Sequence, residues 1–140
     1  MLVRMIYASV ALEPTNKPML QSIMKSARRN NERHDLTGML VFDHQFFLQA
    51  LEGERAAVSR LLNRLMADPR HKDLVLLGQD EIDRRSFADW AMAFVPADKI
   101  SKKMLLRHGI SSQFAPHSFS NAAAIELLGE LHAEAIASQG

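Results

Sequence analysis

The sequence predicts an α+β fold of the ferredoxin-like kind: a β-α-β-β-α-β-β sheet with two helices on one face. Three observations predict it. Short apolar runs at 2–9, 37–42 and 46–53 carry strand-like composition and end at turn residues. Two segments, 19–31 and 54–66, carry apolar residues at helical spacing. Their order along the chain is that of the split β-α-β arrangement.

The first run, Leu-Val-Arg-Met-Ile-Tyr-Ala-Ser, is apolar on both faces except at Arg4, which suits a central strand covered on both sides. Residues 10–18, with two prolines and an Asn, read as a loop. In 19–31, Met19, Leu20, Ile23, Met24 and Ala27 form a stripe, and Asn30-Asn31 is suited to ending the helix. Thr37 to Phe42 is a second strand, and Asp43-His44-Gln45 turns it into a third, Phe46-Phe47-Leu48-Gln49-Ala50-Leu51-Glu52-Gly53. The second helix has Ala57, Val58, Leu61, Leu62 and Leu65 on one side and stops at Asp68-Pro69. Arg64 and Asp68, four apart, are placed to pair. A fourth strand runs from Leu74 toward Ile82, and a fifth from Trp90 to Val95. Residues 97–140 form a different unit, with helices at 99–107 and 121–137. Their apolar sides are expected to pack near the other sheet face. The organisation is one domain over 1–96 and a helical extension over 97–140 that is not an independent domain.

With 140 residues, 47% hydrophobic and 24% charged, the chain has the composition of one globular domain. A net charge of +1 leaves no footprint for duplex nucleic acid or an anionic membrane. Absence of cysteine excludes disulfides, thiolate metal sites and thiol nucleophiles. No apolar run reaches the roughly 20 residues of a membrane span, and the start lacks the pattern of a signal peptide. The cytoplasm is the expected compartment. Phosphate loops, dinucleotide fingerprints, zinc motifs and nucleophile elbows are missing, and the six histidines never fall in metal-ligand spacing. No enzyme activity and no metal are expected.

Four features remain. Gln49 shares a strand face with Phe47 and Leu51. A buried primary amide without partners costs roughly 2–7 kcal/mol, so a backbone group, a trapped water or a polar ligand must satisfy it. Tyr7 is the one tyrosine of the chain, and its place in an apolar strand suits a core phenol or a redox-active one. Asn31 is a helix cap or an amide aimed between the two helices. Lys25, Arg28, Arg29 and Arg33 cluster near the end of the first helix, and Arg64, Arg70, His71 and Lys72 near that of the second. Such a rim is either solvated or able to hold a phosphate-bearing ligand whose ring lies between the helices. Glu52, at the strand end, reads as a solvated turn residue.

Taken together, the segments Arg4-Met5-Ile6-Tyr7-Ala8-Ser9, Arg29-Asn30-Asn31, Leu36-Thr37-Gly38-Met39-Leu40, Phe47-Leu48-Gln49-Ala50-Leu51-Glu52-Gly53, Asp68-Pro69-Arg70-His71, Arg84-Arg85-Ser86-Phe87 and Trp90-Ala91-Met92 resemble the BLUF family of blue-light sensors using FAD. The resemblance implies that Tyr7 donates an electron to the photoexcited flavin and that Gln49 bridges phenol and ring. It implies that Asn31 holds the polar ring edge and that Ile23 and Leu65 sandwich the ring. Asn30, Arg64, Asp68 and His71 would contact the ring edge, ribityl chain or phosphates. Met92 and Trp90, on the fifth strand, would relay the change, one near Gln49 and the other facing away or displaced, and Met92 would also belong to the flavin-binding set. It further implies a short, stand-alone photoreceptor that signals by protein–protein contact with a separate effector, or through its own homo-oligomer. An acylphosphatase-like enzyme and a flavin-free ligand-sensing module are the other classes this fold serves. The loop at Ser9-Val10-Ala11-Leu12-Glu13 lacks the Gly-rich anion cradle the first of these needs.

Overall fold

The computed structural model describes residues 1–12, 17–111 and 113–139. The loop read over 10–18 therefore lies partly outside the described residues, as does position 112.

Five strands form one sheet in the order β4-β1-β3-β2-β5. Strand β1 (Leu2–Ala11) pairs antiparallel with β3 (Phe46–Glu54) and with β4 (His71–Glu81). Strand β2 (Thr37–Phe42) pairs antiparallel with β3 and parallel with β5 (Ala93–Pro96). Helix α1 (Lys17–Arg33) joins β1 to β2 across β3, and α2 (Arg55–Ala67) joins β3 to β4 across β1. These two crossovers are the split β-α-β arrangement that the segment order predicts.

The sheet is covered on both faces. Odd-numbered residues of β1 and β3 (Val3, Met5, Tyr7, Phe47, Leu51) meet α1 and α2. Even-numbered ones (Ile6, Leu48, Ala50) meet the C-terminal helices α3 (Lys102–Arg107) and α4 (Asn121–Gln139) through Met104, Leu105, Ala124, Leu127 and Leu128. The period-2 alternation of an extended chain produces this division, and α4 supplies the cover expected for the second face.

The β2–β3 turn forms as the sequence predicts. The Asp43 carboxylate accepts from the Gln45 and Phe46 amides at 3.1 and 2.7 Å, and His44 takes the left-handed conformation, φ 79°. Gly38 is required by a close approach: a Cβ there would run into the Ala50 carbonyl oxygen of the adjacent strand. Gly38→Ala is expected to lower stability by about 1–3 kcal/mol through overpacking, measured as a lower urea midpoint.

The observed elements depart from expectation in several places. Helix α1 passes through Asn30-Asn31 to Arg33, because the left-handed turn comes later, at Asp35, φ 54°. Strand β4 starts at His71, where the charged triplet His71-Lys72-Asp73 masks an edge strand paired with the end of β1. The helix read at 99–107 is a 3-10 turn, Ala97–Lys99, followed by α3, whose first turn is capped by the Ser101 hydroxyl accepting from the Met104 amide, 3.0 Å. Helix α4 runs two residues past the expected end.

Strand β5 begins only at Ala93, so Trp90 and Met92 lie in the loop before it rather than on the fifth strand. Side chains hold that loop instead of a ladder. The Ala91 carbonyl accepts from Asn31 Nδ2 at 2.6 Å and the Met92 carbonyl from Arg28 Nε at 3.0 Å, while the Trp90 carbonyl accepts from the Gly38 amide at 3.0 Å.

Candidate functional site

A cavity of about 300 Å³ opens between α1 and α2 over the sheet. Its floor is Tyr7 from β1, Leu40 from β2 and Phe47 and Gln49 from β3. Ile23 and Ala27 of α1 and Leu61 and Leu65 of α2 are its apolar walls. The polar rim comes from the ends of the two helices and from the start of β4, where Asn30, Asn31, Arg64, Asp68, Arg70 and His71 converge.

The floor is built by register. Tyr7 lies directly opposite Gln49 across the β1–β3 pair, and Leu40 opposite Gln49 across β2–β3. Cross-strand partners share a face, so phenol and carboxamide must meet. The Tyr7 hydroxyl donates to Gln49 Oε1. Gln49 Nε2 points the other way, 3.4 Å from the Met92 sulfur. All three side chains are buried. The partners that Gln49 required on sequence grounds are thus a phenol and a thioether.

Burial, and secondarily the charge of Asp68, pushes the Tyr7 phenol well above the usual tyrosine range. The unfolded phenol titrates near 10. As pH rises past that value the unfolded chain releases a proton that the folded chain keeps, so this contribution to stability is present below about pH 10 and is lost above it, at up to about 1.4 kcal/mol per pH unit. Wild-type urea midpoints are expected to fall more steeply above about pH 10 than those of Tyr7→Phe, which lacks the titrating group.

The rim is largely self-paired. Arg70 binds the Asp68 carboxylate through Nε and Nη2, at 3.0 and 2.6 Å, and holds the Asp68 pKa below its usual value. The expected Arg64–Asp68 pair does not form, because Arg70 is nearer in chain and orientation; Arg64 instead donates to the Asn30 side-chain oxygen, Oδ1. His71 donates from Nε2 to the Leu65 carbonyl, while Nδ1 lies 2.9 Å from the buried Ser9 hydroxyl. Its ring stands edge-on to both Tyr7 and Phe47, at 6.4 and 6.3 Å. Asn31 is 1% exposed. Among the described residues its Oδ1 receives only a long contact from Asn30 Nδ2, 3.5 Å.

Of the residues singled out in the sequence, Tyr7, Ile23, Asn30, Asn31, Gln49, Arg64, Leu65, Asp68 and His71 all line this cavity. Met92 stands behind it, against Gln49. Trp90 does not approach it: the indole packs on the opposite side of the sheet, with the core under α4. Sequence reasoning missed Ser26, Leu40 and Phe47 as lining residues. Phe47 was legible from strand parity, since it shares a face with Gln49; placing Leu40 needs the β2–β3 register, which pairs it with Gln49.

Glu52 is a correction. It is fully buried, not a solvated turn residue. Its carboxylate accepts from the Ser86 and Phe87 amides, both at 2.8 Å, and from the Thr37 hydroxyl at 3.3 Å, with Arg4 at 3.8 Å. It anchors the loop that carries Met92.

The cavity fits a flat aromatic cofactor with a phosphate tail. Its walls are aliphatic, one edge offers the buried Asn31 carboxamide with acceptor capacity to spare, and its mouth carries arginines and a histidine. A family model described as BLUF, sensors of blue-light using FAD, matches residues 2–93. A photoactivated adenylate cyclase subunit beta from Euglena longa is 34% identical over 92 residues, which are 65% of this chain and 11% of that protein. The chain therefore spans about a tenth of that relative's length. Among solved structures, the ground state of BlsA superposes with TM-score 0.81 at 31% identity, covering 94% of this chain and 87% of that one. The dark state of BlrB, a BLUF protein, gives TM-score 0.79 at 25% identity, covering 96% of each.

Proposed function

Because the chain belongs to the BLUF family, the sensors of blue light using FAD, we propose that it is a blue-light receptor whose FAD lies in the cavity between α1 and α2 and whose signal starts in the Tyr7–Gln49–Met92 line. The observation that carries this reading is the geometry of Gln49, whose carbonyl oxygen accepts from Tyr7 while its amide faces Met92. When bound, FAD supplies blue-light absorption and an excited ring that accepts an electron.

The remaining chemistry belongs to the chain. Tyr7, held neutral by burial, would be the electron donor, and its hydroxyl proton would move along its hydrogen bond to the Gln49 carbonyl oxygen while Gln49 Nε2 gives up a proton on its other side, leaving the side chain neutral. A carboxamide both donates and accepts, so rotation or tautomerisation of Gln49 presents a new hydrogen-bond pattern on both sides. Met92, on the amide side, registers that change. Ile23 and Leu65 clasp the ring from α1 and α2, and Asn31 holds its polar edge. Asn30, Arg64, Asp68 and His71 serve the ring edge, ribityl chain and phosphates, with Arg70 added at the mouth.

Residues 1–96 are the sensing unit in this reading, and 97–140 the output or oligomer contact. The relative named above is a photoactivated adenylate cyclase subunit; in this reading residues 1–140 are a sensor that passes its state to a separate effector or to a second copy by surface contact. Among the described residues no helix is long and apolar enough to cross a membrane; the cytoplasm is the compartment this reading proposes.

FAD added to purified chain is expected to give yellow protein that retains the flavin through gel filtration. Gln49→Leu is expected to retain it equally and to lose the light-induced spectral shift, since leucine neither donates nor accepts. A colourless chain, or a native shift in Gln49→Leu, would refute the proposal.

A further inference from the structure

The loop before β5 passes from one face of the sheet to the other. Phe87 and Trp90 join the core under α4, whereas Met92 joins the core under α1 and α2. Its backbone is tied at Ser86 and Phe87 by Glu52, at Trp90 by Gly38, at Ala91 by Asn31 and at Met92 by Arg28.

One residue of α4 gathers the side chains of this loop. The His132 ring lies 4.4 Å from the Trp90 ring at 73°, and 5.3 Å from Phe87 at 86°, both edge-on. Its Nε2 stands 3.2 Å from Asp89 Oδ1. Its side chain is 17% exposed. The inward stripe of α4 is otherwise small or aliphatic, with Ala124, Leu127, Leu128 and Leu131 buried against the sheet. Covering the sheet does not require an imidazole here. A ring touching two aromatics and a carboxylate of one loop is sensitive to where that loop sits.

We propose that His132 is the positioning residue that couples α4 to Met92, by fixing Trp90, Phe87 and Asp89 at the far end of the same loop. The proposal rests on the photoreceptor reading and adds the route and direction of its output. Coupling of this kind is reciprocal. A change at Gln49 that moves Met92 alters the grip of His132 on the loop, and a partner that shifts α4 alters the lifetime of the lit state. The two states must differ in these contacts for either effect to occur.

The test uses the FAD-loaded full chain in the dark and under blue light. Three quantities are followed: the flavin red shift, the dark-recovery rate, and the light-minus-dark amide exchange of residues 121–139. His132→Ala is expected to keep FAD and the red shift, to change the recovery rate by roughly five-fold or more, and to erase the exchange difference in α4. Ala favours helix, so α4 itself is retained; His132→Phe, which keeps an aromatic in the gap but frees Asp89, is expected to shift recovery in the same direction. Arg107→Ala breaks the 2.6 Å pair with Glu130 elsewhere on α4 and is expected to recover at the wild-type rate. Wild-type recovery and an intact α4 difference in both His132 variants overturn the proposal, as does an Arg107→Ala effect as large as that of His132→Ala. A wild-type chain that holds FAD and shows no red shift overturns the photoreceptor reading itself, a distinguishable failure.

Discussion

Tyr7→Phe is expected to bind FAD and to show no red-shifted state under blue light. The phenyl ring fills nearly the same space on the cavity floor, so the flavin's apolar contacts are kept. The hydroxyl is what the variant removes, and with it the donor to Gln49 Oε1 and the electron-and-proton source of the proposed chemistry. An acceptor left without its donor in a buried site costs about 1–3 kcal/mol, well within what a domain with the usual 5–15 kcal/mol tolerates. Absorbance before and after illumination checks the outcome, with flavin content verified by release of the bound cofactor. A native shift in Tyr7→Phe would remove Tyr7 from the mechanism.

Glu52→Ala is expected to be the most destabilising change of a single polar residue. The carboxylate is fully buried and accepts from two loop amides and one hydroxyl, with Arg4 beside it. Removing one partner of a buried charged cluster costs roughly 3–5 kcal/mol, and the amide of the buried Phe87 is left without an acceptor. The effect is local as well as global. The Ser86 and Phe87 amides lose their acceptor, so the loop that carries Trp90 and Met92 loosens even where the sheet survives. A lower urea midpoint together with faster exchange of those two amides is the expected result. A midpoint within about 0.5 kcal/mol of wild type, the range of ordinary surface substitutions, would contradict it.

Much of the architecture was legible because it follows from periodicity. The odd residues of β1 and β3 face one pair of helices and the even ones face the other; parity put Phe47 and Gln49 on one face, while the meeting of Tyr7 with Gln49 was implied by the family resemblance and depends on the β1–β3 register. The helical stripes of α1 and α2 likewise placed Ile23 and Leu65 on the walls. Long-range side-chain bonding to backbone was not legible. Glu52 stands at a strand end, and its main partners lie 34 and 35 residues away in a loop with no periodic signal. The loop at 90–92 alternates like a strand, but its carbonyls are claimed by Asn31 and Arg28 from a helix, which ended the ladder early. Arg64 and Asp68 had helical spacing in their favour, yet Asp68 follows the last residue of α2 and turns to Arg70. Trp90 and Met92, of which one was expected near Gln49 and the other facing away or displaced, end on opposite sides of the sheet with Met92 on the Gln49 side, and this separation makes the loop a connector between the two cores.

In the proposed photocycle, light rearranges the Tyr7–Gln49 hydrogen bond in a cavity holding FAD. The most direct measurement is the absorption spectrum of the FAD-loaded wild-type chain before, during and after blue illumination. The flavin bands are expected to shift red under light and to return completely in the dark, with no lasting bleaching. A flavin-loaded chain whose spectrum stays fixed, or bleaches without recovery, would contradict it.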